Sequence, residues 1–204
     1  MRIIPTILEK DWPEAERKIK MVKSLAKWIH IDVIDGVFTL GKSFELELLK
    51  GIWGENDNNL LDIHLMVKEP ISWINKCDFI GASRIIGQVE MMTDRKEFVK
   101  RVKDLGIEVG LAYDIETTVD KIPEETDVVM LMGRKAGFES MSLDEGLWKK
   151  IEGVKRDRFE LGVDGGIKGG DIKRLKEAGV DLAYCGGAIF DGGKIEDNLK
   201  KLEI

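Results

Sequence analysis

The chain of 204 residues carries 32 Lys and Arg against 38 Asp and Glu, a formal net charge of −6 at pH 7, with 43% hydrophobic and 34% charged residues. That length suits one domain, expected over 1–204, that buries most of its apolar surface, and the interspersed charge holds no basic stripe for nucleic acid. No apolar run approaches the ~20 residues that cross a bilayer, and Cys77 and Cys185 lack CxxC spacing and follow no basic-then-apolar leader, so a cytoplasmic protein without membrane association or a disulfide framework is expected.

Short apolar runs alternate with charged amphipathic stretches along the whole chain, the pattern of a parallel sheet covered by helices. Arg2–Leu8 is the first predicted strand, and Pro13 opens a helix running to Leu25. Trp28–Val33 follows, then a helix near Phe44–Lys50 and a polar surface turn at Gly54–Asn59 before the third strand, Leu60–Met66. Arg84–Gln88 leads into a helix over Asp94–Leu105, which starts on an acidic residue and stops at Gly106. Glu108–Ala112 and Val128–Met132 are strands five and six, with a helix near Leu143–Lys150. Phe159–Val163, a helix over Asp171–Ala178 ending at Gly179, Leu182–Cys185 and a closing helix over Ile195–Leu202 complete the chain.

Eight βα repeats in about 200 residues predict an α/β fold, a (β/α)8 TIM barrel with economical loops. The open doubly wound alternative lacks its G-x-G-x-x-G after the first strand.

The chain has two histidines, and each ends a predicted strand beside an aspartate: His30-Ile31-Asp32 and Asp62-Ile63-His64. Period-2 alternation puts the members of each pair on one face, which in a barrel points inward. A third strand ends in Val163-Asp164-Gly165-Gly166. Two imidazoles and two carboxylates suit Zn2+, Fe2+ or Mn2+ and are too rich in nitrogen for a typical Ca2+ or Mg2+ site. Each residue alone has an ordinary explanation: a strand-end histidine can be a hydrogen-bonded core residue, Asp-Gly a turn, Met66 and Met132 gap-fillers. Asp35-Gly36 keeps that turn reading. What argues otherwise is every histidine of the chain, plus a carboxylate before Gly-Gly, falling at strand ends.

The stretches Pro5-Thr6-Ile7-Leu8, HIDVIDG (His30–Gly36), DIHLM (Asp62–Met66), VDGG (Val163–Gly166) and GGAIF (Gly186–Phe190) resemble, in order, the signatures of ribulose-phosphate 3-epimerases. The resemblance implies a barrel of the ribulose-phosphate binding type that inverts C3 of D-ribulose 5-phosphate to give D-xylulose 5-phosphate, in the pentose phosphate pathway. It implies one divalent metal ion on His30, Asp32, His64 and Asp164, with Asp32 and Asp164 as the acid/base pair. Such chemistry removes a proton beside a ketone and returns one to the opposite face, which takes two facing acid/base groups and a positive partner for the developing oxyanion. Thr6, Met66, Met132 and Gly137 match substrate-binding positions, and Ile34 stands where the family has a third soft residue. Gly165, Gly166, Gly186 and Gly187 could offer backbone amides to a phosphate. The implied partner is a small ketose phosphate, and a homo-oligomer is expected.

The departures cluster in substrate positions. Thr6 replaces a serine, and in Arg134–Ser140 only Gly137-Phe138 survives from a Gly-rich loop, with Glu139 and Ser140 in place of phosphate-cradling glycines. A carboxylate at 139 opposes phosphate, for which Arg134 or Lys135 could compensate. The family's His-x-Glu reads Gln88-Val89-Glu90, and the polar stretch after HxDxxDG reads Val37-Phe38-Thr39-Leu40-Gly41. Two alternatives stay open: an epimerase of another ketose phosphate, and a non-catalytic sugar-phosphate or metal binder. An aldolase or decarboxylase would want an inward lysine at a strand end, and none is offered.

Overall fold

The computed structural model of the chain describes residues 1–52, 58–137, 142–156 and 158–203. Eight parallel strands close into a barrel, β8 returning to pair with β1. They are β1 (Arg2–Ile7), β2 (Trp28–Ile34), β3 (Leu60–Met66), β4 (Arg84–Gln88), β5 (Glu108–Tyr113), β6 (Val128–Met132), β7 (Glu160–Asp164) and β8 (Leu182–Cys185). Four have the bounds read from the sequence; the others shift by one residue.

One numerical regularity organises the interior. Even-numbered strand residues point into the barrel and pack with Ile4, Trp28, Ile86, Met130 and Leu182; odd-numbered ones, such as Ile29, Ile31, Ile63, Leu65 and Val163, face the helical layer. This is strand alternation carried around a closed sheet, and it makes each apolar strand two-sided. Position 162, on the inward phase, holds glycine because a Cβ there would lie 2.8 Å from the Tyr184 ring.

The outer layer comprises α1 (Trp12–Val22), α2 (Ile74–Phe79), α3 (Arg95–Asp104), α4 (Gly146–Gly153), α5 (Ile172–Glu177), α6 (Gly187–Phe190) and α7 (Ile195–Leu202). Their buried residues recur at helical spacing, as in Ala15, Ile19 and Val22 or Ile195, Leu199 and Leu202. Asp11 caps α1 by accepting from the Glu14 amide at 3.2 Å, and Asp94 caps α3 from the Glu97 amide at 3.0 Å.

Three expectations need correction. The helix near Phe44–Lys50 is a four-residue 3-10 turn, Leu46–Leu49, with no side-chain cap and only Leu46 and Leu49 buried. The helix near Leu143–Lys150 starts later, at Gly146, because Asp144 turns the chain by accepting the Gly146 amide at 2.7 Å. Between β5 and β6 there is no helix: β-branched Thr117-Thr118 and Pro123 disfavour one. The short α2 was not anticipated. Of the predicted turn Gly54–Asn59, residues 54–57 lie outside the described residues; Asn59 bonds the carbonyls of Lys23 and Ala26 at 2.8 and 2.7 Å. The Asp35 turn is as expected, its carboxylate accepting from the amides of Val37 and Lys68 at 2.8 and 2.7 Å.

Candidate metal centre and active site

Register and alternation together assemble the cluster. His30 stands beside Thr6 on one side and Asp62 on the other, and Asp32 beside His64. His64 Nδ1 lies 2.9 Å from Asp32 Oδ1, and its Nε2 lies 2.8 Å from Gln88 Oε1. His30 Nε2 is 3.3 Å from the same Asp32 oxygen, and its Nδ1 is 3.4 Å from Asp62 Oδ1. Although the His30 ring is fully buried, neither nitrogen makes an aligned hydrogen bond. Asp164 reaches in from β7. One donor atom from each of His30, Asp32, His64 and Asp164 lies within 4.8 Å of all the others, and all four residues are buried.

These residues fit a divalent cation. Ligands on opposite sides of one ion, each at about 2.1 Å, stand about 4 Å apart, close to the span seen here. Buried imidazole nitrogens without aligned partners need something to satisfy them, and two imidazoles and two carboxylates converging on one space can offer lone pairs to a positive charge.

Below this cluster lies a second, centred on a buried ion pair. Arg84, 0% exposed, bonds Asp62 at 3.1 Å, Glu108 at 2.9 and 2.5 Å, and stacks 4.1 Å over the Trp28 ring. Tyr184 donates its hydroxyl to Asp62 at 3.2 Å and packs its ring 4.5 Å from that of His30. Asp62 was read only as sharing a face with His64; its role behind His30, and the presence of Arg84 and Tyr184, depend on cross-strand register that one sequence does not display.

Proton affinities in the metal-free chain diverge. Burial alone would raise Asp32, but hydrogen bonds and charge from His30 and His64 outweigh it and hold the carboxyl well below the usual range. Asp164 goes the other way: burial and then the Asp32 charge push it up to about 6, against weaker pulls from His30, His64 and Arg134. Burial would lower His30, yet the Asp62 and Asp32 carboxylates push it up to about 10. Two neighbouring carboxyls driven apart in this way form the pattern of an acid and a base.

Asp32 and Asp164 of the cluster floor a cavity of about 520 Å³ at the C-terminal mouth of the barrel. Thr6, Met66, Met132, Gly137, Gly165, Gly166, Gly186 and Gly187 all line it, with Arg134, Lys135, Lys168 and Tyr184. Gly165 and Gly166 have φ of 93° and 82°, a left-handed path that explains two glycines after Asp164. Gly137 has a further reason for being glycine, since a Cβ there would overlap Thr39, so the loops after β2 and β6 touch over the mouth. Gly187 opens α6, but the Asp191 carboxylate lies 2.7 Å from where its Cβ would stand, a negative group beside the expected anion cup. Lys18, paired with Glu9 at 2.5 Å, also faces the cavity. Phe138, Glu139 and Ser140 lie outside the described residues. Ile34 is buried in the inner apolar cluster with Met66 and Met132.

A closed barrel whose mouth is able to hold a divalent cation beside two carboxyls of opposite proton affinity defines a class of barrel enzyme sites. Within it, the chain belongs to the ribulose-phosphate 3-epimerase family, whose sequence model matches residues 2–190. Relatives bearing the name ribulose-phosphate 3-epimerase include one from Aquifex aeolicus, 29% identical over 211 residues covering 98% of this chain and 95% of the relative. Another, from Bacillus subtilis, is 29% identical over 201 residues, covering 93% and 92%. Among solved structures, 3-hexulose-6-phosphate synthase from Salmonella typhimurium matches with a TM-score of 0.71 over 99% of this chain and 96% of that one; at 16% identity this speaks for the barrel alone. Among the described residues, no helix is long and apolar enough to cross a membrane.

Proposed function

We propose that this chain inverts C3 of D-ribulose 5-phosphate to give D-xylulose 5-phosphate, with His30, Asp32, His64 and Asp164 holding one divalent ion, zinc, iron or manganese. The observation that carries the reading is the pair Asp32 and Asp164: both buried, facing one cavity from well-separated strands, with proton affinities pushed in opposite directions. The cation, when bound, supplies positive charge to the oxygen that gains electron density as the C3 proton departs. Asp32, held ionised, suits the base for one face of the sugar. Asp164, whose proton affinity burial and the Asp32 charge push up to about 6 in the metal-free chain, suits the acid for the other, and the two exchange roles in the reverse direction. Met66 and Met132 wall the cavity with apolar surface against a planar intermediate, and Tyr184 closes one side of its floor. Gly165, Gly166 and Gly187 carry the phosphate end, with Arg134, Lys135 and Lys168 as the nearby cations.

Asp191 favours a second reading, an epimerase whose ketose phosphate differs in length or carries its charge elsewhere, since a carboxylate beside Gly187 opposes a phosphate in that cup. The test for both is incubation of metal-loaded protein with ribulose 5-phosphate, and separately with other ketose phosphates, in deuterated water. Deuterium at C3 together with xylulose 5-phosphate is the expected result. Exchange only with another sugar establishes the second reading, and sugar binding without C3 exchange, with zinc, iron and manganese each supplied, overturns the catalytic reading.

A further inference from the structure

Each histidine of the cluster has a different group behind it. His30 is backed by Asp62, a carboxylate itself locked by Arg84 and Tyr184. His64 is backed by a neutral amide: Gln88, fully buried on the inward phase of β4, places Oε1 2.8 Å from His64 Nε2. We propose that Gln88 is a positioning residue that fixes His64 as its Nε2–H tautomer when the cluster holds a cation, so that Nδ1 offers its lone pair to that cation. This rests on the reading that the four-residue cluster holds a metal ion.

The argument runs through hydrogen-bond polarity. An amide oxygen can only accept, so the ring nitrogen facing Oε1 must carry the proton. Nδ1 lies 2.9 Å from Asp32 Oδ1, which also only accepts, so in the metal-free chain Nδ1 can donate as well; with a cation held by the cluster, the neutral ring offers its Nδ1 lone pair and keeps its proton on the Gln88 side. In the reverse amide orientation, Gln88 Nε2 would donate to His64 Nε2 and force the proton onto Nδ1, aiming an N–H into the cluster where a metal ion needs a lone pair. In the orientation present, Gln88 Oε1 faces His64 and Gln88 Nε2 has no hydrogen-bond partner among the described residues.

Neutrality of residue 88 has its own logic. Asp32, Asp62 and Asp164 bring three buried carboxylates, which Arg84 and a divalent cation would balance. A carboxylate at 88 would still fix the tautomer while adding negative charge without a counterpart.

The test uses the whole protein with 15N-labelled histidine, loaded with zinc. Because His30 and His64 are the only histidines, two rings account for the imidazole spectrum. In the wild type we expect His64 protonated at Nε2 and His30 at Nδ1. Gln88→Met should lower zinc affinity, measured by competition with a chelator, about 10- to 100-fold, and in the metal-free protein leave the His64 proton on Nδ1, facing Asp32. Gln88→Glu should restore the proton on Nε2. A zinc-loaded wild type with His64 protonated at Nδ1 overturns the proposal without any variant, as does a Gln88→Met protein with wild-type affinity and tautomer. A wild type that binds no zinc, iron or manganese through the cluster overturns the metal reading itself, an outcome separate from both.

Discussion

The two ends of the barrel interior are built from the same kinds of residue and solve opposite problems. At the floor, Arg84 meets Asp62, Glu108, Tyr184 and Trp28, and its buried charge is answered by the chain itself. At the mouth, one layer up, His30, Asp32, His64 and Asp164 crowd together, with His30 lacking aligned partners and Asp164 pushed up toward neutrality. Buried polar groups that are satisfied internally hold a fold together. Those left short of partners mark the place where something from outside completes the structure.

The sharpest way to break the floor is Arg84→Met, which leaves Asp62 buried without its counter-charge. A loss of about 3–5 kcal/mol in urea unfolding is expected. The double variant with Asp62→Asn should recover much of it. If Arg84→Met alone is as stable as wild type, the floor is not a structural pair.

The mouth should respond in turnover. Asp32→Asn and Asp164→Asn are each expected to lower epimerisation at least ~100-fold, the lower end of what a positioned acid or base supplies, and the losses should be non-additive because both groups serve one proton exchange. Near-wild-type turnover in either variant would eliminate the two-carboxyl assignment.

A smaller effect comes from pH on the metal-free protein. Asp164 is raised from an ordinary 3.8 to about 6, so the folded state holds this proton more tightly than the unfolded state. Its contribution to stability is fully present below about 3.8 and is lost as pH rises through about 6. Relative to Asp164→Asn, which lacks the group, the wild type should therefore lose stability between pH 5 and pH 7.5. Parallel urea midpoints for the two proteins across that range would remove the basis for an acid at 164.

The smallest expected effect sharpens the contrast between faces. Ile63 lies between Asp62 and His64 in sequence but points into the helical layer, fully buried. Ile63→Val should cost about 0.5–1.5 kcal/mol and leave turnover within about twofold of wild type. A large loss of activity would mean that the two faces of β3 are not independent.

Much of the mouth was legible in the sequence because its residues announce themselves by strand position. With both histidines on strand ends and Asp164 before two glycines, alternation alone placed three strands' worth of ligands on the inner face. The strands were legible for the same reason, being short, apolar and bounded by charge. The floor was not, because Arg84, Asp62 and Tyr184 come from three strands and only their register joins them. Gln88 was visible as a departure from the family pattern, yet its contact with His64 needed β3 and β4 side by side. The short α2 and the missing helix between β5 and β6 escaped because few-residue segments carry too little periodicity to decide between helix and turn.

The even-in, odd-out alternation has a further consequence, for how this gene can vary. It acts as a reading frame: a one-residue insertion or deletion inside β3 would turn His64 out among the helices and drive Leu65 or Ile63 into the metal cluster, while both neighbouring strands kept their phase. Length changes are thus confined to the connections, and a strand that gained a residue would have to lose one before its end. Loop segments such as Val37–Gly41 and Arg134–Gly137 can diverge under that constraint, apart from the close approach of Gly137 to Thr39, so substrate choice can drift while the frame that carries the chemistry stays closed.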